Sequence, residues 1–164
     1  MPVRVDVARQ VQARSVYEGT LPLVALQRLR GSLIADEGDA RYVIEFGRDK
    51  FGVACLALRV EAGLPLLCQR TLEPFVHPVA IDQRLGLIAD ESEEAALPPG
   101  YEPLLVAEGV LNLAEVIEDE LILALPVVPF KPGVPLEWTD HATPEPPDAM
   151  RTSPFAALGT LKKS

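Results

Sequence analysis

The sequence predicts an α+β domain: an antiparallel β-meander of about five to seven strands with packed helices and a proline-rich C-terminal tail. Three observations predict it. Short runs rich in β-branched, aromatic and other apolar residues follow one another between residues 40 and 107, separated by turn residues. Segments of good helix formers without Gly or Pro stand on either side, at 6–14 and 112–125. Residues 126–154 hold 8 of the 16 prolines, too many for a helix or a central strand.

Taken in order, Asp6 is an N-cap for a helix over Asp6–Arg14. Gly19 and Pro22 mark a turn, and Leu23–Leu29 reads as a second helix with Pro22 near its first position and Gly31 as its stop. Ala40–Phe46 is a strand, Gly47–Lys50 is turn chemistry, and Phe51–Val60 is the partner strand of a hairpin. Leu64–Thr71 and Phe75–Asp82 follow as separate strands, which Pro65 and Pro78 direct towards an edge or a bulge. Leu85–Ala89 extends the sheet, Asp90–Gly100 is an acidic loop closed by prolines, and Tyr101–Ala107 is one more strand. Asn112-Leu-Ala-Glu115 is a capping box with Asn in the Ser/Thr role, opening a helix that Pro126 halts near Leu125. The expected division is a single α+β domain over 1–130, then a proline-rich linker and a short C-terminal helical segment over 131–164. In that segment Phe155, Leu158 and Leu161 fall at i, i+3 and i+6, an apolar edge for docking onto a partner or the chain's own core.

With 48% apolar residues the chain can bury a core, which excludes wholesale disorder. Its formal net charge of −9 excludes a protein that coats nucleic acid non-specifically. The charge is uneven. Residues 1–84 carry 11 basic and 10 acidic groups, whereas residues 85–164 carry 4 and 14, with no Lys or Arg between Leu85 and Phe130. Two cysteines, Cys55 and Cys68, are too few for a disulfide scaffold and fit a reducing compartment as small buried groups. The N-terminus lacks the apolar stretch of a secretory signal, and the longest apolar run, Leu121–Phe130, is half the ~20 residues of a membrane span. The expectation is a soluble cytoplasmic protein without membrane or DNA partners.

Signatures of catalysis are absent. There is no G-x-G-x-x-G, P-loop, G-x-S-x-G or H-E-x-x-H, and the two histidines, His77 and His141, fall in a strand and in the presumed linker. No catalytic residue and no cofactor is expected. Cys68 is followed three positions later by Thr71, so a C-x-x-C pair is missing a thiolate and no metal site is expected. The acidic helix is more informative. Leu113, Val116, Ile117, Leu121 and Ala124 form its apolar stripe, while Glu115, Glu118 and Asp119 share the opposite face. Glu120 falls inside the stripe and needs a partner, such as an Arg of the first half, or a place at a rim. One reading makes these carboxylates a structural ion pair plus a solvated face; the other makes Glu115, Glu118, Asp119 and Glu120 a docking surface for a basic partner. The first half supplies the counterpart: ten of its eleven cations are arginines, and Arg4, Arg9, Arg14, Arg28, Arg30 and Arg70 are the RNA-binding candidates. Scattered arginines without interleaved aromatics are more often plain surface charge, so spacing alone is a weak sign of RNA binding.

Several segments resemble the YceD family, the large ribosomal RNA subunit accumulation proteins. They are Leu67-Cys-Gln-Arg70, Tyr101-Glu-Pro103, Val116-Ile-Glu-Asp-Glu-Leu-Ile-Leu-Ala-Leu-Pro-Val-Val-Pro129 and Pro154-Phe-Ala-Ala-Leu-Gly-Thr-Leu-Lys162. Their order matches, and the resemblance spans essentially the whole chain. It implies a non-enzymatic role in 23S rRNA accumulation and large-subunit assembly, with direct RNA binding as an expectation from plant relatives linked to organellar 23S-type rRNA. Members of that family often carry a C-x-x-C pair where this chain has Cys68 and Thr71, and some carry Cys or His where it reads Phe130-Lys-Pro-Gly133. Zinc binding is therefore not implied here.

The expected function is ribosome biogenesis by binding. The partner is 23S rRNA or a large-subunit precursor through the arginine-bearing half, or a basic ribosomal protein shielded by the acidic helix and the 90–94 loop. The alternative from another class is a small-ligand or lipid-binding β-barrel-like protein with a pocket between sheet and helix.

Overall fold

The computed structural model describes residues 4–133. The expectations for Phe155, Leu158 and Leu161, for His141 and for the proline-rich linker beyond Gly133 lie outside the described residues.

The order is β1 (Arg4–Asp6), α1 (Val7–Ala13), β2 (Val16–Pro22), α2 (Gln27–Arg30), β3 (Asp39–Arg48), β4 (Ala54–Leu67), β5 (Pro74–Ile88), β6 (Glu102–Leu105), β7 (Val110–Asn112) and α3 (Leu113–Leu123). The main sheet runs β2-β3-β4-β5-β6 in chain order, and β1 pairs with β7 in a separate two-stranded ribbon. The α+β meander holds with one correction: β6 joins β5 in parallel, so the sheet is mixed. The connection from Ile88 to Glu102, with its acidic 3-10 turn at Glu91–Ala96, carries the chain back to β5's starting direction. Edges β2 and β6 do not pair with each other. Among the described residues the sheet stays open.

Alternation builds the core. Ala40, Tyr42, Ile44 and Phe46 of β3 and Leu56, Leu58, Val60, Leu64 and Leu66 of β4 point to one face and are buried. Leu23, Leu26 and Leu29, Val7 and Val11 of α1, and Leu113, Val116, Ile117 and Leu121 of α3 join them in one cluster. The other face carries exposed Arg41, Glu45, Arg59, Glu61, Asp82 and Arg84. There Arg59 reaches Glu45 at 3.6 Å and Asp82 at 3.5 Å, pairs exposed enough to contribute little.

The expected boundaries shift in three places. The Gly19 region is strand β2, because Gly19 lies opposite Tyr42, and a Cβ there would stand 2.9 Å from its Oη. The four runs expected between 51 and 89 are two long strands paired from Cys55↔Gly86 to Leu67↔Pro74. Pro65 and Pro78 are tolerated because β3 pairs with β4 only up to Ala62 and β6 joins β5 only from Leu85, so each proline's other side faces no strand. The second helix is broken at Leu26, which leaves a 3-10 turn at Leu23–Ala25 and the single turn of α2.

Candidate functional site

Asn112 caps the acidic helix as expected, but the reciprocal capping box is replaced by a side-chain pair between Asn112 and Glu115. Asn112 Oδ1 accepts from Ala114 N at 3.1 Å, and Asn112 Nδ2 donates to Glu115 Oε1 at 2.8 Å. Glu115 is exposed, with one carboxylate oxygen engaged by the cap side chain. Glu118 is buried. Its carboxylate accepts from the Arg28 amide at 2.6 Å, the Leu29 amide at 3.1 Å and Arg28 Nε at 3.0 Å. These amides belong to the first turn of α2, a helix too short to satisfy its own N-terminus, so Glu118 caps it from across the core. Arg28 Nη1 donates to Asp119 Oδ1 at 2.6 Å. Hydrogen bonds to Glu118 and then to Asp119 hold the Arg28 guanidinium above its ordinary pKa.

Glu120 lies within the apolar stripe and is buried, but its partner is not an arginine. With its nitrogen turned towards the carboxylates, the Gln83 amide donates to Glu120 Oε2 at 2.8 Å and to Glu102 Oε2 at 3.1 Å. Burial, then the charges of Glu102 and Asp119, push the Glu120 carboxyl above its usual range. Three of the four carboxylates expected to dock a partner are thus bound inside the fold or to the cap, and the fourth, Asp119, is paired with Arg28.

The six candidate arginines divide as sharply. Arg28 is bound to α3, and Arg30 pairs with Asp36 at 2.8 Å. Arg4 borders the same depression as Glu115 and Asp119, surroundings that disfavour a phosphate. Arg9, Arg14 and Arg70 are exposed and have no carboxylate partner among the described residues. Arg70 sits beyond the far end of β4 from Arg14, roughly 40 Å of strand away, so the two do not form one compact patch. Sequence spacing missed the neighbour of Arg14. Arg48, from the end of β3, lines the same concavity, and Lys50 and Phe51 lie just beyond it on the hairpin tip. The signal was present in Arg48-Asp-Lys-Phe51, but only the fold brings α1 beside it.

At the other end, Cys68 is buried and free. Its sulfur does not sit in an apolar pocket: the Lys131 amide donates to it at 3.4 Å, and Gln69 N donates to the Pro129 carbonyl at 3.0 Å. Hydrogen bonds from the Thr71 hydroxyl first, then from the Lys131, Thr71 and Arg70 amides, lower the thiol to about 6. No three His, Cys, Asp or Glu side chains converge on a metal position among the described residues. No helix among them is long and apolar enough to cross a membrane.

Fold and site define the class: a small α+β domain with its acidic helix tied into the core and, among the described residues, exposed, unpaired arginines at both ends and on the open face of the sheet. A family model described as "Large ribosomal RNA subunit accumulation protein YceD" matches residues 56–162. A protein named "Large ribosomal RNA subunit accumulation protein YceD" from Haemophilus influenzae (strain ATCC 51907 / DSM 11121 / KW20 / Rd) is 31% identical over 169 residues, an alignment covering 99% of this chain and 97% of that protein. The chain belongs to the YceD family. No solved structure matches it.

Proposed function

We propose that this protein supports accumulation of 23S rRNA and assembly of the large ribosomal subunit by binding RNA, without catalysing a reaction on it. Family membership supplies the process. One observation supports the choice of RNA as partner: the two buried carboxylates of α3, Glu118 and Glu120, are spent on internal bonds and Asp119 is paired with Arg28, whereas Arg9, Arg14 and Arg48 stand exposed without a carboxylate partner among the described residues. Exposed guanidinium forks suit phosphate oxygens, and each phosphate neutralised releases a counterion.

A basic ribosomal protein as the partner has less support from α3, whose Glu118 and Glu120 are buried and whose Asp119 is paired with Arg28. It rests on the exposed glutamates of the 91–96 turn, where Glu93 accepts from Ala89 N and Glu91 and Glu94 remain open.

The test is sedimentation of cell extracts on a sucrose gradient, with and without RNase and at two salt concentrations. Co-migration with large-subunit precursors that RNase and high salt abolish is the expected result. Co-migration that survives RNase, and that Glu91→Lys with Glu94→Lys abolishes, moves the assignment to a basic protein partner.

A further inference from the structure

We propose that the tip of the β3–β4 hairpin is a stacking platform for an unpaired RNA base, with Arg14 and Arg48 beside it holding flanking phosphates. This inference rests on the RNA-binding reading above and names the form of RNA it takes.

Phe51 lies at the tip and is 70% exposed. It is not carried on a loose loop. Asp49 Oδ1 accepts from Phe51 N at 2.9 Å and from Val53 N at 2.8 Å, and Gly52 reverses the chain at φ 82°. Tyr101 donates its hydroxyl to Asp49 Oδ2 at 2.9 Å, which ties the turn to the segment before β6. The turn is braced from two sides, and the apolar ring it presents is largely in solvent.

Cations stand beside that ring. Lys50 Nζ stands 4.9 Å from the Phe51 centroid. Arg48 Nη1 donates to the Gly52 carbonyl at 2.7 Å, which fixes its guanidinium against the tip. Arg14 shares a concavity with Arg48 on the α1 side. The acid within the turn, Asp49, has both oxygens occupied. The acidic 91–96 turn leaves β5 at this same end of the sheet, two strands across from β3, so the side of the tip open to a phosphate backbone is the α1 side, where Arg14 and Arg48 lie. Arg14 carries a second sign of use. It ends α1 at φ 50°, the left-handed position where glycine is the unstrained choice, yet the residue there is an arginine with its side chain in solvent.

Aromatic stacking recognises any base with an open face, while guanidinium and ammonium groups track the backbone. In a duplex the base faces are already stacked on one another and cannot reach Phe51. The platform therefore selects single-stranded segments, loops or bulges.

The experiment measures anisotropy of a short fluorescein-labelled single-stranded RNA, and of the same strand annealed to its complement, on titration with the full chain. Wild type is expected to bind the single strand more tightly. Phe51→Ala is expected to lose about tenfold on the single strand and little on the duplex, while Phe51→Tyr keeps the affinity. Arg14→Gly is expected to weaken binding and flatten its salt dependence by about 0.7 in log–log slope, without lowering Tm, because glycine relieves the left-handed backbone. Unchanged affinity in Phe51→Ala, or an equal loss on the duplex, overturns the platform and leaves RNA binding standing. Binding of neither RNA by wild type removes the RNA-binding reading and the platform with it.

Discussion

Glu118→Ala isolates a carboxylate whose role is set by what it touches. In the native fold it accepts two backbone amides and the Arg28 guanidinium while its own side chain is 9% exposed. Truncation leaves the Leu29 amide without an acceptor in a residue that is 0% exposed. An orphaned buried donor costs roughly 1–3 kcal/mol, and hydrogen bonds to a charged group contribute about 1.5–3 kcal/mol. Arg28 is 52% exposed and re-enters water when released, so its loss adds no more than about 1 kcal/mol. The expected cost is about 3 kcal/mol. A domain of this size shifts by about 3–5 °C per kcal/mol, which makes the drop in Tm roughly 10 °C. Thermal unfolding followed by circular dichroism at neutral pH reads it, with Asp119→Ala as the internal comparison. Asp119 makes one exposed contact to the same arginine and is expected to cost about 1 kcal/mol or less. Removing Arg28 as well tests the assignment further: after Arg28→Met, Glu118→Ala should still cost most of its value, since both amides remain orphaned. If Glu118→Ala costs no more than Asp119→Ala, the cap across the core contributes nothing and this reasoning fails.

Glu120→Gln is expected to stabilise the protein at neutral pH, because the folded state holds the Glu120 carboxyl above its unfolded value through burial and the charges of Glu102 and Asp119. With the folded pKa raised, the penalty is absent below the unfolded value and fully present above the folded one; Tm against pH should therefore separate the two proteins near neutrality and bring them together below about pH 4. Thr71→Val, in a Cys55→Ser background, is expected to raise the midpoint of ultraviolet thiolate absorbance from about 6, since the Thr71 hydroxyl is the largest influence on Cys68. The depressed thiol has the opposite linkage: its stabilisation is present above the unfolded value and lost as pH falls through about 6, so the wild-type contribution fades on that side while the variant's fades at higher pH.

Much of the fold was legible because local chemistry and tertiary structure agreed. Asp6 caps α1 by accepting from Arg9 N at 2.9 Å, Asn112 caps α3, and the alternation in Ala40–Phe46 places one set of side chains in the core. Legibility failed where a residue's usual meaning was overridden by its neighbours. Gly19 reads as a turn, yet it is a strand glycine opposite Tyr42. Pro65 and Pro78 read as marks of an edge or a bulge, yet they lie inside the long inner strands β4 and β5, at positions where the missing donor faces no partner. The parallel entry of β6 has no counterpart in local pattern, because pairing direction is set by how the connection packs.

The candidate site divides in the same way. The sequence by itself determined that positive charge belongs to the first half and negative charge to the second, that Asn112 opens a helix, and that Glu120 falls on that helix's apolar side. Family membership was also readable there, since motif order is a property of the chain alone. Only the tertiary structure decided which charges are free. Glu118 meets Arg28 across 90 residues, Glu120 meets Gln83 rather than an arginine, and Arg14 of α1 lines one concavity with Arg48 from the end of β3. The physical reason is range. Caps and strand alternation are set by atoms within a few residues of each other, whereas a carboxylate is spent or available according to which distant donor the packing brings within hydrogen-bond reach.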